Sequence, residues 1–308
     1  MHTPLSNKSK ETTRSRPGGA TSARVRARRR LAGATALLIL ALPIGAVVAL
    51  GQRSPHARPP ARHSRASAER QRRSAPLSSR AEEEAAINHV LSYTPAVVEG
   101  GHRGNEVALT FDDGPGPYTN ELVATLDRLH VHATFFAIGM MERWFSSGTR
   151  AEVAAGDAVG DHTETHPMMA TLSASAQREE LTEQMARVEV AGAPRPRLFR
   201  PPYGSFDATT FKVLRSLHLL MVLWSTDTAD YTLPGTQAIV QRALAGAHPG
   251  AIILMHDGGG NRAQTIAALP AIVAGLRRRG LVPVTVPQLL RDDPPPPGRP
   301  IPTSLAGD

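Results

Sequence analysis

From about Asn105 to Leu290 the chain alternates short apolar runs with longer amphipathic stretches, and this restricts the fold more than any other feature of the sequence. Strand-like runs lie at 106–111, 132–137, 197–200, 219–225, 251–255 and 282–286; helix-like stretches lie between them at 119–130, 174–190, 206–217, 236–246 and 262–279. Within 177–190, Leu181, Met185 and Val188 recur at spacings of four and three, which makes one apolar helix face. Alternating strands and helices predict an α/β fold with a mainly parallel sheet, open or closed into a barrel. The polar motifs favour the barrel. Asp112-Asp113 follows 106–111, Arg200-Pro201-Pro202 follows 197–200, Asp227 to Asp230 follow 219–225, and His256-Asp257 follows 251–255. Barrel enzymes collect their active sites at the C-terminal ends of the strands in this way.

The ends of the chain differ from this body. Residues 1–80 hold 17 Lys and Arg against 2 acidic residues, while 81–308 hold 18 against 25, so the net charge of +8 averages a +15 arm with a −7 body. Residues 1–30 read as a basic cytoplasmic tail, and 31–51 carry no charge. Such a stretch suffices to cross a hydrocarbon core of about 30 Å at about 1.5 Å per residue. Six basic residues in 16–30 against four in 52–66 favour an N-inside, single-pass membrane helix with the body outside the cytoplasm. Cleavage after the small-residue run Val47-Val48-Ala49 would instead make 31–51 a signal segment and the protein secreted. Residues 52–100, rich in Arg, Ser and Pro at their start, read as a flexible linker, and 292–308 as a Pro-rich disordered tail. The arm could lie against anionic lipid or an anionic wall polymer. It lacks interleaved aromatics, so no specific nucleic-acid partner is expected. The absence of cysteine removes thiolate ligands and nucleophiles, leaving His, Asp and Glu for any metal.

Thr110-Phe111-Asp112-Asp113-Gly114-Pro115 places two adjacent carboxylates at the end of a strand-like run. His162 and His166 follow at metal-ligand spacing, and on a helical turn their rings would share one side. Glu164 would then point away, which argues against a His-Glu-x-x-His zinc protease. Asp113, His162 and His166 would make a His₂-carboxylate metal site with open positions. Asp112 is then free to act as a base towards water, provided that the chain turns so that both carboxylates reach one site. Arg200, in Arg200-Pro201-Pro202-Tyr203-Gly204, is a candidate partner for Asp112, and the Tyr203 amide a candidate oxyanion donor. His256 is a candidate general acid, held protonated by Asp230. Each island also fits a plain structural role: a polar turn, a pair of surface histidines, a rigid Pro-Pro loop or a rim histidine.

Taken in order, Thr-Phe-Asp-Asp-Gly-Pro, His-Thr-x-x-His-Pro, Arg-Pro-Pro-Tyr-Gly, Asp-Thr-x-Asp-aromatic and Leu-x-His-Asp resemble the NodB-like polysaccharide deacetylases of carbohydrate esterase family four, across about residues 104–290. The resemblance implies a distorted (β/α) barrel over 101–291 and a deacetylase dependent on a divalent metal, with zinc expected and cobalt or nickel as alternatives. It implies Asp112 as base, Asp113, His162 and His166 as ligands, Arg200 as the partner of Asp112 and Tyr203 as amide donor. It also implies Leu254 beside the acetyl methyl, and His256 as acid with Asp230 tuning it. Tyr231 stands where the family commonly has Trp, which points to altered substrate packing.

The expected reaction is removal of N-acetyl groups from an amino-sugar polymer, with peptidoglycan or a chitin-like oligosaccharide favoured by an extracytoplasmic location. O-acetyl ester hydrolysis on a xylan-like polysaccharide and a non-catalytic, membrane-tethered glycan-binding role are the alternatives.

Overall fold

The computed structural model describes residues 79–302. The expected basic tail, membrane helix 31–51 and linker up to residue 78 lie outside the described residues. No helix among the described residues is long and apolar enough to cross a membrane.

Among the described residues, nine strands form one sheet in the order β1-β6-β5-β4-β3-β2-β8-β7, with β9 pairing onto β2. They are β1 (Ala96–Val97), β2 (Glu106–Asp112), β3 (Thr134–Ala137), β4 (Ala158–Asp161), β5 (Leu198–Phe199), β6 (Leu220–Val222), β7 (Thr226–Asp227), β8 (Ile252–His256) and β9 (Val282–Val284). Every pairing is parallel, and none joins β1 to β7 among the described residues, so the barrel expected from the motif placement is a curled half-barrel left open at one seam. The flanking helices are α1 (Arg80–Leu91), α2 (Thr119–Arg128), α3 (Glu142–Ala155), α4 (Ala174–Ala191), α5 (Ala208–Leu217), α6 (Thr236–Ala245), α7 (Ala263–Arg278) and α8 (Val286–Asp292).

The two-residue period of the strands sorts the chain into layers. Val107, Leu109 and Phe111 of β2, with Ile253 and Met255 of β8, pack outward with Leu122 and Leu126 of α2 and with Leu269, Ile272 and Leu276 of α7. Their neighbours Ala108, Phe136, Leu198, Leu220, Val222 and Ile252 face the interior, together with Ile87 and Val90 of α1 and Leu289 and Leu290 of α8. Following the inward set to the strand ends gives Thr110 and Asp112 on β2, Leu254 and His256 on β8, and Arg200 just beyond β5. The register sets Asp112 opposite His256 and Thr110 opposite Leu254. The alternation that builds the core therefore also delivers the polar side chains.

Two assignments made from the sequence need correction. Residues 80–100, read as the end of a linker, hold α1 and β1. Ser79 caps α1 in a reciprocal box with Glu82, and Ile87 and Val90 bury its apolar face in the interior cluster. The stretch from residue 292, read as a disordered tail, is fastened to the body as far as it is described. The buried Asp293 carboxylate accepts the amides of Arg103 (2.6 Å) and Gly104 (2.7 Å), the Tyr93 hydroxyl donates to the Pro295 carbonyl (2.8 Å), and Arg299 pairs with Glu99.

Helix α3 and strand β4 were not anticipated. Helix α3 contains Gly148 and a non-helical residue, Phe145, and so lacks a clean apolar period. Strand β4 is four residues long and contains Gly160, where a Cβ would come within 2.6 Å of the Phe136 ring. Asp293→Ala leaves two amides without their acceptor, so it should lower the unfolding free energy by about 1–3 kcal/mol in a urea titration. An unchanged midpoint would show that the fastening of the tail contributes nothing.

Candidate active site

The strand ends open into a cleft of about 580 Å³ lined by Asp112, Asp113, His162, His166, Pro201, Tyr203, Trp224, Asp227, Tyr231, Leu254, His256, Gly259 and Arg262. Eight of the ten residues singled out from the sequence as acid, base, ligand or substrate contacts lie on this lining: Asp112, Asp113, His162, His166, Tyr203, Leu254, Tyr231 and His256; the ninth, Arg200, reaches it through its hydrogen bond to Asp112. The tenth, Asp230, reaches it through His256.

Asp112 and Asp113 share the cleft because the chain turns between them. Asp112 ends β2 with its side chain inward, so Asp113 in extended backbone would point outward. Asp113 instead has φ of 72°, in the left-handed region, which brings its carboxylate back into the cleft. The backbone of Gly258 and Gly259 lies against it: a Cβ at Gly259, whose φ is 69°, would sit 2.4 Å from Asp113 Oδ2.

His162 and His166 meet by a route other than the helical turn suggested by their spacing. No helix spans them; His162 follows β4, and Thr163 and His166 have φ of 71° and 63°. Side-chain bonds hold this loop: Thr163 N–H donates to Asp161 Oδ1 (2.7 Å) and His166 N–H to Thr163 Oγ1 (2.9 Å). Glu164 turns away to pair with Arg187 (3.2 Å), in keeping with its exclusion from the site.

Asp113 Oδ1 lies 3.1 Å from His166 Nε2 and 3.5 Å from His162 Nε2. His162 Nδ1 is 2.7 Å from the Arg200 carbonyl oxygen, which can only accept. Nδ1 therefore carries the proton and Nε2 presents its lone pair to the cleft, the orientation that a metal-ligating histidine needs. Asp113 Oδ1 is buried without a hydrogen-bond partner. An unpartnered carboxylate oxygen facing two imidazole nitrogens fits a divalent cation, and the three residues form one of the candidate ligand groups of the molecule. Burial raises the pKa of the Asp113 carboxyl, but His162 and His166 outweigh it and hold the group well below the ordinary carboxylate range.

Asp112 has a different principal partner, although its Oδ2 lies 3.8 Å from His162 Nε2. Arg200 is fully buried, and its Nη1 donates to Asp112 Oδ1 (2.7 Å) and to Thr110 Oγ1 (2.8 Å). Its Nε and Nη2 donate to the carbonyls of Val222 and Leu223 (3.1 Å each), and the guanidinium carbon lies 4.2 Å from the Phe136 ring centre. Burial lowers the pKa of Arg200, and the contact with Asp112 opposes that.

Across the cleft, Asp230 is fully buried. One oxygen meets His256 Nδ1 (2.7 Å); the other accepts the His256 amide (2.9 Å) and the Thr265 hydroxyl (2.7 Å). Burial works against charge on His256, but Asp230 outweighs it and raises the pKa of the ring, while Asp230 itself is lowered. Tyr203, with φ of 57°, is 60% exposed, and its ring stands edge-on to His166 with centroids 4.6 Å apart. Tyr231 stands edge-on to His256 at 5.3 Å and donates from its hydroxyl to Asp227 (3.3 Å).

The sequence reading missed three residues of the site. Trp224 lines the cleft three residues before the Asp-Thr-x-Asp motif. Arg262 is buried with its Nε on the Gly258 carbonyl (2.6 Å), clamping the glycine loop that backs Asp113. Asp257, beside His256, points to the outer side and accepts from Thr119; burial, with the charges of Asp113 and Asp112, pushes its carboxyl up to about 7.

The polysaccharide deacetylase family model matches residues 99–222. A peptidoglycan-N-acetylglucosamine deacetylase of Bacillus cereus is 35% identical over 188 residues, covering 60% of this chain and 88% of that protein. The chain belongs to the polysaccharide deacetylase family. A chitooligosaccharide deacetylase of Sinorhizobium fredii is 34% identical over 210 residues, covering 64% of this chain and 98% of that one. Among solved structures, a peptidoglycan N-acetylglucosamine deacetylase superposes with a TM-score of 0.62 at 29% identity, covering 67% of this chain and 96% of the other.

If Asp230 sustains charge on the His256 ring, Asp230→Asn must lower the pKa of that ring, because the neutral amide no longer favours the imidazolium. Following the ring protons by NMR against pH should show a fall of about one unit or more. An unmoved titration would mean that Asp230 is only a structural acceptor.

Proposed function

We propose that this polysaccharide deacetylase family member hydrolyses N-acetyl groups on an amino-sugar polymer, peptidoglycan or a chitin-like oligosaccharide, releasing acetate and a free amine. One observation carries the reading: within a single cleft, adjacent aspartates are committed to different partners, Asp112 to Arg200 and Asp113 to two imidazoles, opposite a His256–Asp230 pair. The likeness to relatives named as peptidoglycan and chitooligosaccharide deacetylases supports the substrate class.

In this reading Asp113, His162 and His166 hold a divalent cation, zinc or in its place cobalt or nickel. When bound, the cation supplies Lewis-acid polarisation of the acetamide carbonyl and lowers the pKa of water at the site. Asp112, held and oriented by Arg200, takes a proton from the attacking water. The Tyr203 peptide N–H, which no hydrogen bond occupies among the described residues, would donate to the oxygen on which negative charge develops. Leu254 offers an apolar wall to the acetyl methyl, and Tyr203, Trp224 and Tyr231 offer ring faces to the sugar.

The C–N bond breaks with the electron pair going to nitrogen, and an unprotonated amide nitrogen leaves poorly. His256 supplies that proton. With Nδ1 engaged by Asp230, its Nε2 is the nitrogen available to the leaving group. For the segment outside the described residues, we propose that 31–51 anchors the domain on the outer side of the cell membrane, with the basic arm against anionic lipid or wall polymer.

Acetate release from N-acetylglucosamine oligomers should exceed release from acetylated xylan. His256→Ala should retain the metal while lowering kcat on the amide by about 10²–10⁴-fold. Faster release from xylan, with little effect of His256→Ala, would favour an O-acetyl esterase. Release from neither, by a metal-loaded sample, would overturn hydrolysis altogether.

A further inference from the structure

A second group of metal-type ligands lies at the other end of the strands that carry the cleft. Glu99 and His102 precede β2 and His248 precedes β8, whereas Asp112 and His256 stand at the C-terminal ends of those two strands. The backbone ties the two segments together: Gly100 N–H donates to the Gly250 carbonyl (2.8 Å) and Gly250 N–H to the Glu106 carbonyl (2.8 Å). Residues far apart in sequence are thus held side by side without help from their side chains.

The side chains then converge. Glu99 Oε1 is 3.3 Å from His102 Nε2, and Glu99 Oε2 is 3.4 Å from His248 Nε2. The two rings stand edge to face with centroids 5.3 Å apart, and one ligand atom from each residue falls within 4.8 Å of the others. His248 Nδ1 lies 2.8 Å from the Pro249 carbonyl oxygen. A carbonyl can only accept, so Nδ1 carries the proton and the lone pair sits on Nε2, facing Glu99. The same device orients His162 through the Arg200 carbonyl in the cleft. Arg299 pairs with Glu99 through Oε1, which leaves Oε2 and its His248 neighbour the less encumbered side.

We propose that Glu99, His102 and His248 form a second divalent-metal site, structural in role. Two imidazoles and one carboxylate suit zinc, nickel or cobalt, and disfavour calcium and magnesium, which seek oxygen ligands. An ion there would cross-link the segment after β1 to the turn before β8, beside the point where Arg299 fastens the C-terminal segment. It would brace the base of the half-barrel without touching the cleft.

The experiment is zinc stoichiometry on the full chain. The protein is stripped with a chelator, reloaded with zinc alone, freed of excess ion, and its metal is measured per chain. The wild type should hold two ions, His102→Ala/His248→Ala one, Asp113→Ala one, and the triple variant none. His102 and His248 are 51% and 41% exposed, so their loss leaves the core untouched. In Asp113→Ala, where only the proposed site remains, zinc should raise the thermal midpoint, and in the triple variant it should not. Wild-type protein holding a single ion that His102→Ala/His248→Ala retains would overturn the proposal. So would a midpoint of Asp113→Ala that zinc does not move. Loss of the ion in Asp113→Ala concerns the cleft alone, so the two sites fail separately.

Discussion

The buried pair between Arg200 and Asp112 constrains the rest of the structure. Removing a guanidinium and a carboxylate from water costs several kcal/mol per ion, and attraction between them repays it only when the remaining donors and acceptors are satisfied. Here most are: Arg200 donates to Asp112, to Thr110 and to the carbonyls at the end of β6, and stacks on Phe136. Those partners come from β2, β3 and the end of β6, so one side chain from the segment after β5 joins strands that span much of the sheet. Its own carbonyl, in turn, fixes the tautomer of His162. The position of Arg200 thus sets the orientation of one carboxylate and one imidazole together.

With one oxygen of Asp112 held by Arg200 and the other 3.8 Å from His162 Nε2, the adjacent Asp113 is the carboxylate that meets both imidazoles. The turn that allows this costs backbone strain of about 1–3 kcal/mol per left-handed non-glycine residue. Such residues gather around the cleft at Asp113, Thr163, His166, Tyr203 and Ala229. The surrounding packing that keeps them there includes the Gly258-Gly259 backbone against Asp113 and the side-chain bonds of the 161–166 loop.

Much of this was legible in the sequence, for a simple reason. Strand alternation runs unbroken from the core residues Ala108 and Ile252 to Asp112 and His256, so reading apolar periods also locates the site. What local periodicity could not show was how His162 and His166 meet: their spacing suits a helix, but left-handed residues in a loop perform the task. Strand β4 is too short to show a period, and α3 is broken by Gly148 and the non-helical Phe145. Helix α1 carried a signal, Ser79 three residues before Glu82, but the Arg-rich composition before it masked the change from arm to domain. Asp293 and the prolines after it read as a tail because composition says nothing of a carboxylate meeting two amides across almost the whole domain.

The central claim is the division of labour between Asp112 and Asp113, and metal content measured beside turnover in the two Asn variants tests it most directly. Asp112→Asn should keep the cleft metal while kcat for acetate release falls by about 10²-fold or more. Asp113→Asn should lose that metal and the activity together. Loss of the cleft metal in both variants, or near-normal turnover by Asp112→Asn, would contradict the account.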